Sequence, residues 1–190
     1  MKTLSFLLFF LLGYSALAQT PPQPTETVLK EAYTKAAKEN KKVILIFHAS
    51  WCGWCKKMEA SINDPVDSKM FDDNYVVAYV DVLEHAGKEN LENPGSLDLL
   101  KKYKAENLGL PFWLILDAQG NELADSQIRP EGASLNSPGE NMGCPTVEKE
   151  VAYFVKLLKA TSKLTDADLT VISTRFRKNE PVKPATTGTN

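Results

Sequence analysis

The chain has 190 residues, of which 43% are hydrophobic and 24% charged, enough apolar mass for one globular domain with a buried core. Its formal net charge of −2 comes with lysines spread along the chain and no block of like charge, so composition offers no basis for a nucleic-acid or anionic-membrane partner. The three cysteines are an odd number, which does not fit a framework made only of paired structural disulfides.

Lys2, the apolar residues 4–12 and Ala16-Leu17-Ala18 have the positive, apolar and small-x-small parts of a secretory leader. The apolar stretch is shorter than the roughly 20 residues a spanning helix needs, so residues 1–18 read as a cleaved signal peptide rather than a membrane anchor. No cysteine stands at the cleavage point, which argues against a lipid anchor. The mature chain is expected to be exported, periplasmic or extracellular, with no membrane span. Residues 19–24 are proline-rich and expected to be mobile.

Residues 25–40 have amphipathic helical periodicity, with Val28, Leu29, Ala32, Tyr33, Ala36 and Ala37 on one face. The run Val43-Ile44-Leu45-Ile46-Phe47 predicts a central strand covered on both faces. A helix is expected over 52–62, ended by Asp64-Pro65, with a short helical piece over 66–71. Residues 76–82 predict a second central strand, and the polar stretch 83–95 an inserted loop. Ser96 is the expected N-cap of a helix reaching about Ala105. Pro111 introduces a third strand over 112–116, and the turn residues 117–121 predict an antiparallel return over 122–128. Residues 129–145 read as a long loop, followed by helices over 147–160 and 166–178, the second with a Thr165–Asp168 capping box. Residues 180–190 read as a disordered tail. The pattern predicts an α/β domain over 25–179, a central mixed β-sheet flanked by helices with a helical C-terminal extension.

The chemistry lies in Trp51-Cys52-Gly53-Trp54-Cys55-Lys56-Lys57, between the first strand and the helix after it. A dithiol there puts one sulfur at a helix N-terminus, where free backbone N–H groups and the macrodipole favour the thiolate. Residues three apart on a helix share a face, close enough for a disulfide. As a purely structural bridge, so short a loop would contribute about 2 kcal/mol, near the low end for disulfides. Cys52, nearer solvent, is the expected nucleophile, and Cys55, one turn in and more buried, the resolving thiol. Gly53 is expected to allow a tight turn and the approach of a substrate chain. His48 would stabilise a thiolate if it were a nearby imidazolium; a strand-end histidine with a satisfied hydrogen bond is the plainer reading. His85 reads as exposed. Cys144 leaves three readings open: a thiol activated by the following helix, a small buried residue, or part of a loop folded toward the dithiol.

Trp-Cys-x-x-Cys after a buried strand, with a later Pro-initiated strand, resembles the thioredoxin superfamily. The stretch His48-Ala49-Ser50-Trp51-Cys52-Gly53-Trp54-Cys55-Lys56-Lys57-Met58 is most similar to exported thioredoxin-like proteins and the C-terminal domains of thiol-disulfide interchange proteins. The resemblance covers about residues 25–128. It implies a thioredoxin-like fold, a cis bond between Leu110 and Pro111, and a substrate-binding surface formed by Trp51, Gly53, Trp54, Leu110 and Pro111 beside catalytic Cys52 and Cys55. Two departures stand out. Ile46 occupies the position where thioredoxin has a buried proton-transferring Asp, with Glu59 only a surface carboxylate in reach, and Trp54 replaces the proline between the cysteines, as an aromatic does in disulfide isomerases.

Three functions follow. The first is an exported thiol-disulfide oxidoreductase, reductase or isomerase rather than oxidase, acting on protein cysteines or disulfides and needing neither cofactor nor metal. As a reductase it implies a membrane electron-donor protein. The second is a non-catalytic binding module of the same fold. The third, a zinc site using Cys144 and a histidine, lacks the second close-spaced pair that structural zinc sites usually show.

Overall fold

The computed structural model describes residues 20–181. The predicted signal peptide and the tail beyond residue 181 lie outside the described residues. Helix α1 (Thr25–Glu39) leads into β1 (Lys42–His48), α2 (Gly53–Ile62), α3 (Ser68–Asn74) and β2 (Tyr75–Asp81). Then come α4 (Ser96–Lys102), β3 (Phe112–Leu116), β4 (Glu122–Asp125), the short pair β5 (Gln127–Ile128) and β6 (Glu140–Asn141), α5 (Glu148–Thr161) and α6 (Asp166–Arg177). The four-stranded sheet has the order β2-β1-β3-β4, with β1 parallel to β2 and antiparallel to β3, and β4 antiparallel to β3.

The continuous apolar runs of β1 and β3 arise because both faces of the sheet are covered. Alternate residues divide between two cores. Val43, Leu45, Phe47, Phe112, Leu114 and Leu116 face α1 and α4 through Ala32, Ala36 and Leu100. Ile44, Ile46, Trp113 and Ile115 face the other way, toward Met58 and Ile62 of α2 and toward Phe154, Leu158, Ile172 and Phe176 of α5 and α6. Phe154 is the hub of an aromatic cluster, 5.3 Å from Trp113 edge-on and 5.0 Å from Phe176 between ring centroids. The C-terminal helices therefore form one full layer of the domain. The Thr165–Asp168 capping box is present as expected, with Asp168 N–H donating to Thr165 Oγ1 at 3.2 Å and Thr165 N–H to Asp168 Oδ2 at 2.9 Å.

Four local expectations need correction. Ser96 is inside α4 rather than its cap; Gly95, at φ +87°, takes the left-handed cap conformation that a side chain would disfavour. That helix ends at Lys102, short of Ala105. The helical piece after Pro65 begins two residues later than expected and runs to Asn74. The return strand also stops at Asp125: Ser126 breaks it, and Gln127 and Ile128 pair with Asn141 and Glu140 instead. The predicted long loop is thus partly a two-stranded ribbon. Gly139 lets that ribbon close, since a Cβ there would lie 2.8 Å from the Ile128 carbonyl.

Asp67, before α3, is fully buried, caps no helix N–H, and neither of its carboxylate oxygens has a hydrogen-bond partner among the described residues. Burial, reinforced by the nearby Asp64 charge, raises its pKa to about 6 against the opposing pull of Arg175 and Lys178. The acid form is the one the fold prefers, so this group's contribution to stability is complete below its ordinary pKa and is lost as pH rises through about 6. Asp67→Asn is expected to flatten that slope and to raise the unfolding midpoint at pH 8 more than at pH 4, measured by thermal melts of both proteins. An equal change at both pH values would refute the assignment.

Candidate active site

The end of β1 and the start of α2 place the dithiol. Cys52 is the N-cap of α2, and its Sγ accepts a hydrogen bond from the Cys55 N–H at 3.1 Å. Cys52 and Cys55 are joined in a disulfide, Cα to Cα 5.3 Å. A sulfur in this position meets the free N–H end of the helix, so the geometry favours the Cys52 thiolate once the bridge is reduced.

The expected difference in exposure is not found: Cys52 is 3% exposed and Cys55 4%. Both cysteines share a buried cluster with Ala49, and half-buried Leu110 packs against that cluster. Position relative to the helix end, rather than accessibility, distinguishes the two sulfurs. The reading of Gly53 also changes. It is the first residue of α2, its φ is not positive, and an added Cβ would meet nothing within 4 Å. No tight turn requires a glycine there.

Trp51 and Trp54 flank the bridge, 44% and 41% exposed. Lys57 lies over the Trp54 ring, 4.2 Å from its centroid. Trp51 is held by the inserted loop, a role that its polar composition does not reveal. Its indole N–H donates to the Leu83 carbonyl at 2.8 Å, and His85, exposed as expected, stacks on its ring at 5.0 Å. Glu84 accepts hydrogen bonds from both the N–H and the Oγ–H of Ser50. Burial raises the Glu84 pKa, but those two bonds outweigh it and the carboxyl ends below its ordinary value. Residues 83–85 thus brace the segment leading to Cys52.

His48 is turned to Asp81, Nε2 to Oδ1 3.3 Å, and sits edge-on to Tyr79. His48 thus has a carboxylate neighbour, but no hydrogen bond of its side chain is formed among the described residues, so the plainer reading is met only as an ion-pair contact. Burial raises the Asp81 pKa, partly offset by His48. Ile46 is buried in the core, and Glu59 is exposed.

The Leu110–Pro111 bond is cis, and with Trp54 these residues border an open groove of about 300 Å³. Residues 141–144 form its opposite wall. The groove brings Trp54, Leu110 and Pro111 together; Cys52 and Cys55 do not line it, and Leu110 connects it to the cluster that holds the dithiol. The structure also joins two of the readings left open for Cys144, which is 4% exposed, belongs to the core cluster of Phe154, and lies on a loop folded toward the site. Burial pushes its thiol pKa up to about 12, opposed by the Lys57 charge, which disfavours the third reading, a thiol activated by the following helix. Among the described residues, no three His, Cys, Asp or Glu side chains converge as a metal site would need.

Sequence reasoning missed Asn141 and the brace at Glu84; both act through contacts with residues at least thirty positions away.

No curated protein matches the chain significantly. Among solved structures, a disulphide isomerase from Xylella fastidiosa Temecula1 is 19% identical, with 76% of this chain and 100% of that chain covered and a TM-score of 0.49. A DsbH oxidoreductase is 21% identical, with 84% and 96% covered and a TM-score of 0.44. The C-terminal domain of Neisseria meningitidis DsbD, in its oxidised form, is 22% identical, with 56% and 84% covered and a TM-score of 0.40. The model of the thioredoxin-like domain family matches residues 29–131, from α1 past β5, including the dithiol and Pro111. With that match over more than half its length, and a mixed sheet between helices carrying a Cys52–Cys55 disulfide, the chain belongs to the thioredoxin-like family.

Proposed function

We propose that the protein is an exported thiol-disulfide oxidoreductase acting on protein cysteines, as a reductase or isomerase rather than an oxidase. The observation that carries this reading is the Cys52–Cys55 bridge at the N-terminus of α2, with the Cys52 sulfur on the Cys55 N–H and Leu110 packed against the cluster that holds it. In the reducing direction, the Cys52 thiolate attacks one sulfur of a substrate disulfide, which breaks and releases the other sulfur as a thiolate. The Cys55 thiolate then attacks Cys52 in the mixed disulfide. The Cys52–Cys55 bridge re-forms, the second substrate thiol leaves, and two electrons have passed to the substrate. Isomerisation uses the first step and its reversal.

Trp51, Trp54, Leu110 and Pro111 form the proposed substrate surface, with Gly53 an open gap beside them. No cofactor is required. Trp54, in the position of the isomerase aromatic, supports the reductase or isomerase preference. The leader-like residues 1–18 support export with cleavage near Ala18, leaving a domain over 25–179, and no helix among the described residues is long and apolar enough to cross a membrane. An exported reductase needs electrons brought across the membrane, so a membrane donor protein is the expected recycling partner.

The test is the reduction potential of the pair, from redox equilibrium with glutathione. A value between those of thioredoxin and protein disulfide isomerase, about −270 to −180 mV, is expected. One near −120 mV would make the protein an oxidase and overturn the preference.

A further inference from the structure

The cis-proline segment is held in place by one side chain that lies outside the family-matched residues. Asn141, on β6, donates through Nδ2 to the carbonyls of Leu108 at 3.0 Å, Gly109 at 3.2 Å and Pro111 at 3.3 Å. Its Oδ1 accepts from Ser126 Oγ at 2.6 Å and from the Gly143 N–H at 3.2 Å. The amide is therefore fully used, and its orientation is fixed by the acceptor side. Ser126 is itself anchored: its Oγ accepts from the Trp113 N–H at 3.2 Å, and its backbone bonds to Trp113 and Met142. A continuous chain of hydrogen bonds thus runs from β3 through Ser126 and Asn141 to the turn before Pro111.

The pattern of that clamp has a gap. Three of four consecutive carbonyls, those of residues 108, 109 and 111, are tied to Asn141, and that of Leu110 is not. Neither the Leu110 N–H nor its carbonyl has a hydrogen-bond partner among the described residues. Leu110 is half-buried, packs against the cluster that holds Cys52 and Cys55, and borders the groove. Unpaired backbone groups beside an exchangeable disulfide suit an extended peptide, whose own N–H and C=O would complete both bonds while its cysteine meets Cys52.

We propose that Asn141 is a positioning residue for substrate: by tying the carbonyls on either side of Leu110, it presents the Leu110 N–H and C=O as an edge for the backbone of an extended, cysteine-containing polypeptide. The proposal rests on the dithiol reading above. It predicts selectivity for disulfides carried on a peptide backbone over small disulfides that have none.

The test compares the mature chain, with Cys52 and Cys55 reduced, on a disulfide-bonded peptide and on 5,5′-dithiobis(2-nitrobenzoate). Asn141→Asp keeps the shape but replaces the donor with a carboxylate oxygen facing three carbonyls. Read as a single turnover of the reduced dithiol, kcat being its limiting rate and KM its half-saturating peptide concentration, the ratio of peptide kcat/KM to the small-disulfide rate is expected to fall about tenfold, the scale of one to two backbone hydrogen bonds, and mainly through KM. Ser126→Ala removes only the group that orients Asn141 and should lower the same ratio by a smaller factor. It decides the matter if Asn141→Asp has no cooperative melt. An unchanged ratio in the folded variants would overturn the proposal, as would a loss confined to kcat. A Cys52→Ser control separates the two readings: if it retains both reactions, the dithiol reading fails; if it loses both while the ratio holds in the Asn141 and Ser126 variants, only the positioning role fails.

Discussion

Cys52→Ser is expected to reduce the rate of insulin disulfide reduction by dithiothreitol to the uncatalysed background, while Cys55→Ser is expected to stop the reaction one step later. The distinction follows from the helix end. Cys52 is the N-cap of α2 and already accepts the Cys55 N–H, so it is the sulfur whose anion the fold stabilises. Serine in its place removes the nucleophile altogether, since a hydroxyl neither ionises near neutral pH nor exchanges with a disulfide. Serine at 55 leaves attack intact but cannot release the mixed disulfide, so a covalent adduct through Cys52 should accumulate. Non-reducing electrophoresis of the reduced variants after mixing with a disulfide-bonded protein such as insulin reads both outcomes. An adduct with Cys52→Ser and none with Cys55→Ser would reverse the roles; insulin turnover undiminished in Cys52→Ser would remove the activity.

Arg129→Ala is expected to destabilise the domain by about 3–5 kcal/mol, the range for removing one partner of a buried ion pair. Arg129 and Asp125 are 3% and 4% exposed at their side chains and meet in a two-point contact, Nη1 to Oδ1 2.6 Å and Nη2 to Oδ2 2.7 Å. The same guanidinium donates to the carbonyls of Ser137 at 2.6 Å and Leu135 at 2.9 Å, and Gln127 bridges Asp125 to the Gly139 N–H. Alanine leaves the Asp125 charge buried with only the Gln127 side chain and N–H for company, and frees the loop over 130–139. Urea unfolding measures the first effect, and faster amide exchange over 134–139 the second. The double change Asp125→Leu with Arg129→Leu should cost much less than Arg129→Ala, because no charge is then stranded. A single variant within about 0.5 kcal/mol of the parent, the range of ordinary surface substitutions, would show that the pair is not the anchor described here.

The readable parts of the sequence are those where one residue class has one physical explanation. Val43-Ile44-Leu45-Ile46-Phe47 could be assigned to a doubly covered strand because so short an unbroken apolar run, with three β-branched residues, suits a strand buried on both faces better than a helix. Cys52 and Cys55 were legible for the same reason, a dithiol between a strand and a helix having few uses. Other features depend on partners distant in sequence. Nothing in Asp125-Ser126-Gln127 indicates that the strand changes partner, because that partner, residues 140–141, lies some fifteen positions further on. Asp125 and Arg129 stand at helical i, i+4 spacing yet join a strand to a loop. Glu84 looks like a solvated carboxylate until the fold brings Ser50 to it. The exposure order of the two cysteines failed because both lie in one buried cluster with Ala49, against which the distant Leu110 packs.

The family match ends at residue 131, yet the sheet face carrying Ile44, Ile46, Trp113 and Ile115 is roofed by Phe154, Leu158, Ile172 and Phe176, all fully buried. What is inherited as a family and what folds as a cooperative body are therefore different lengths of chain. A fragment trimmed to the matched span would keep both cysteines and Pro111 but lose the α5 and α6 part of the cover over that apolar face, leaving Met58 and Ile62 of α2 with much less to pack against. A unit that keeps this core covered extends through α6, so a transplant of the redox motif is expected to need two helices that lie outside the dithiol site.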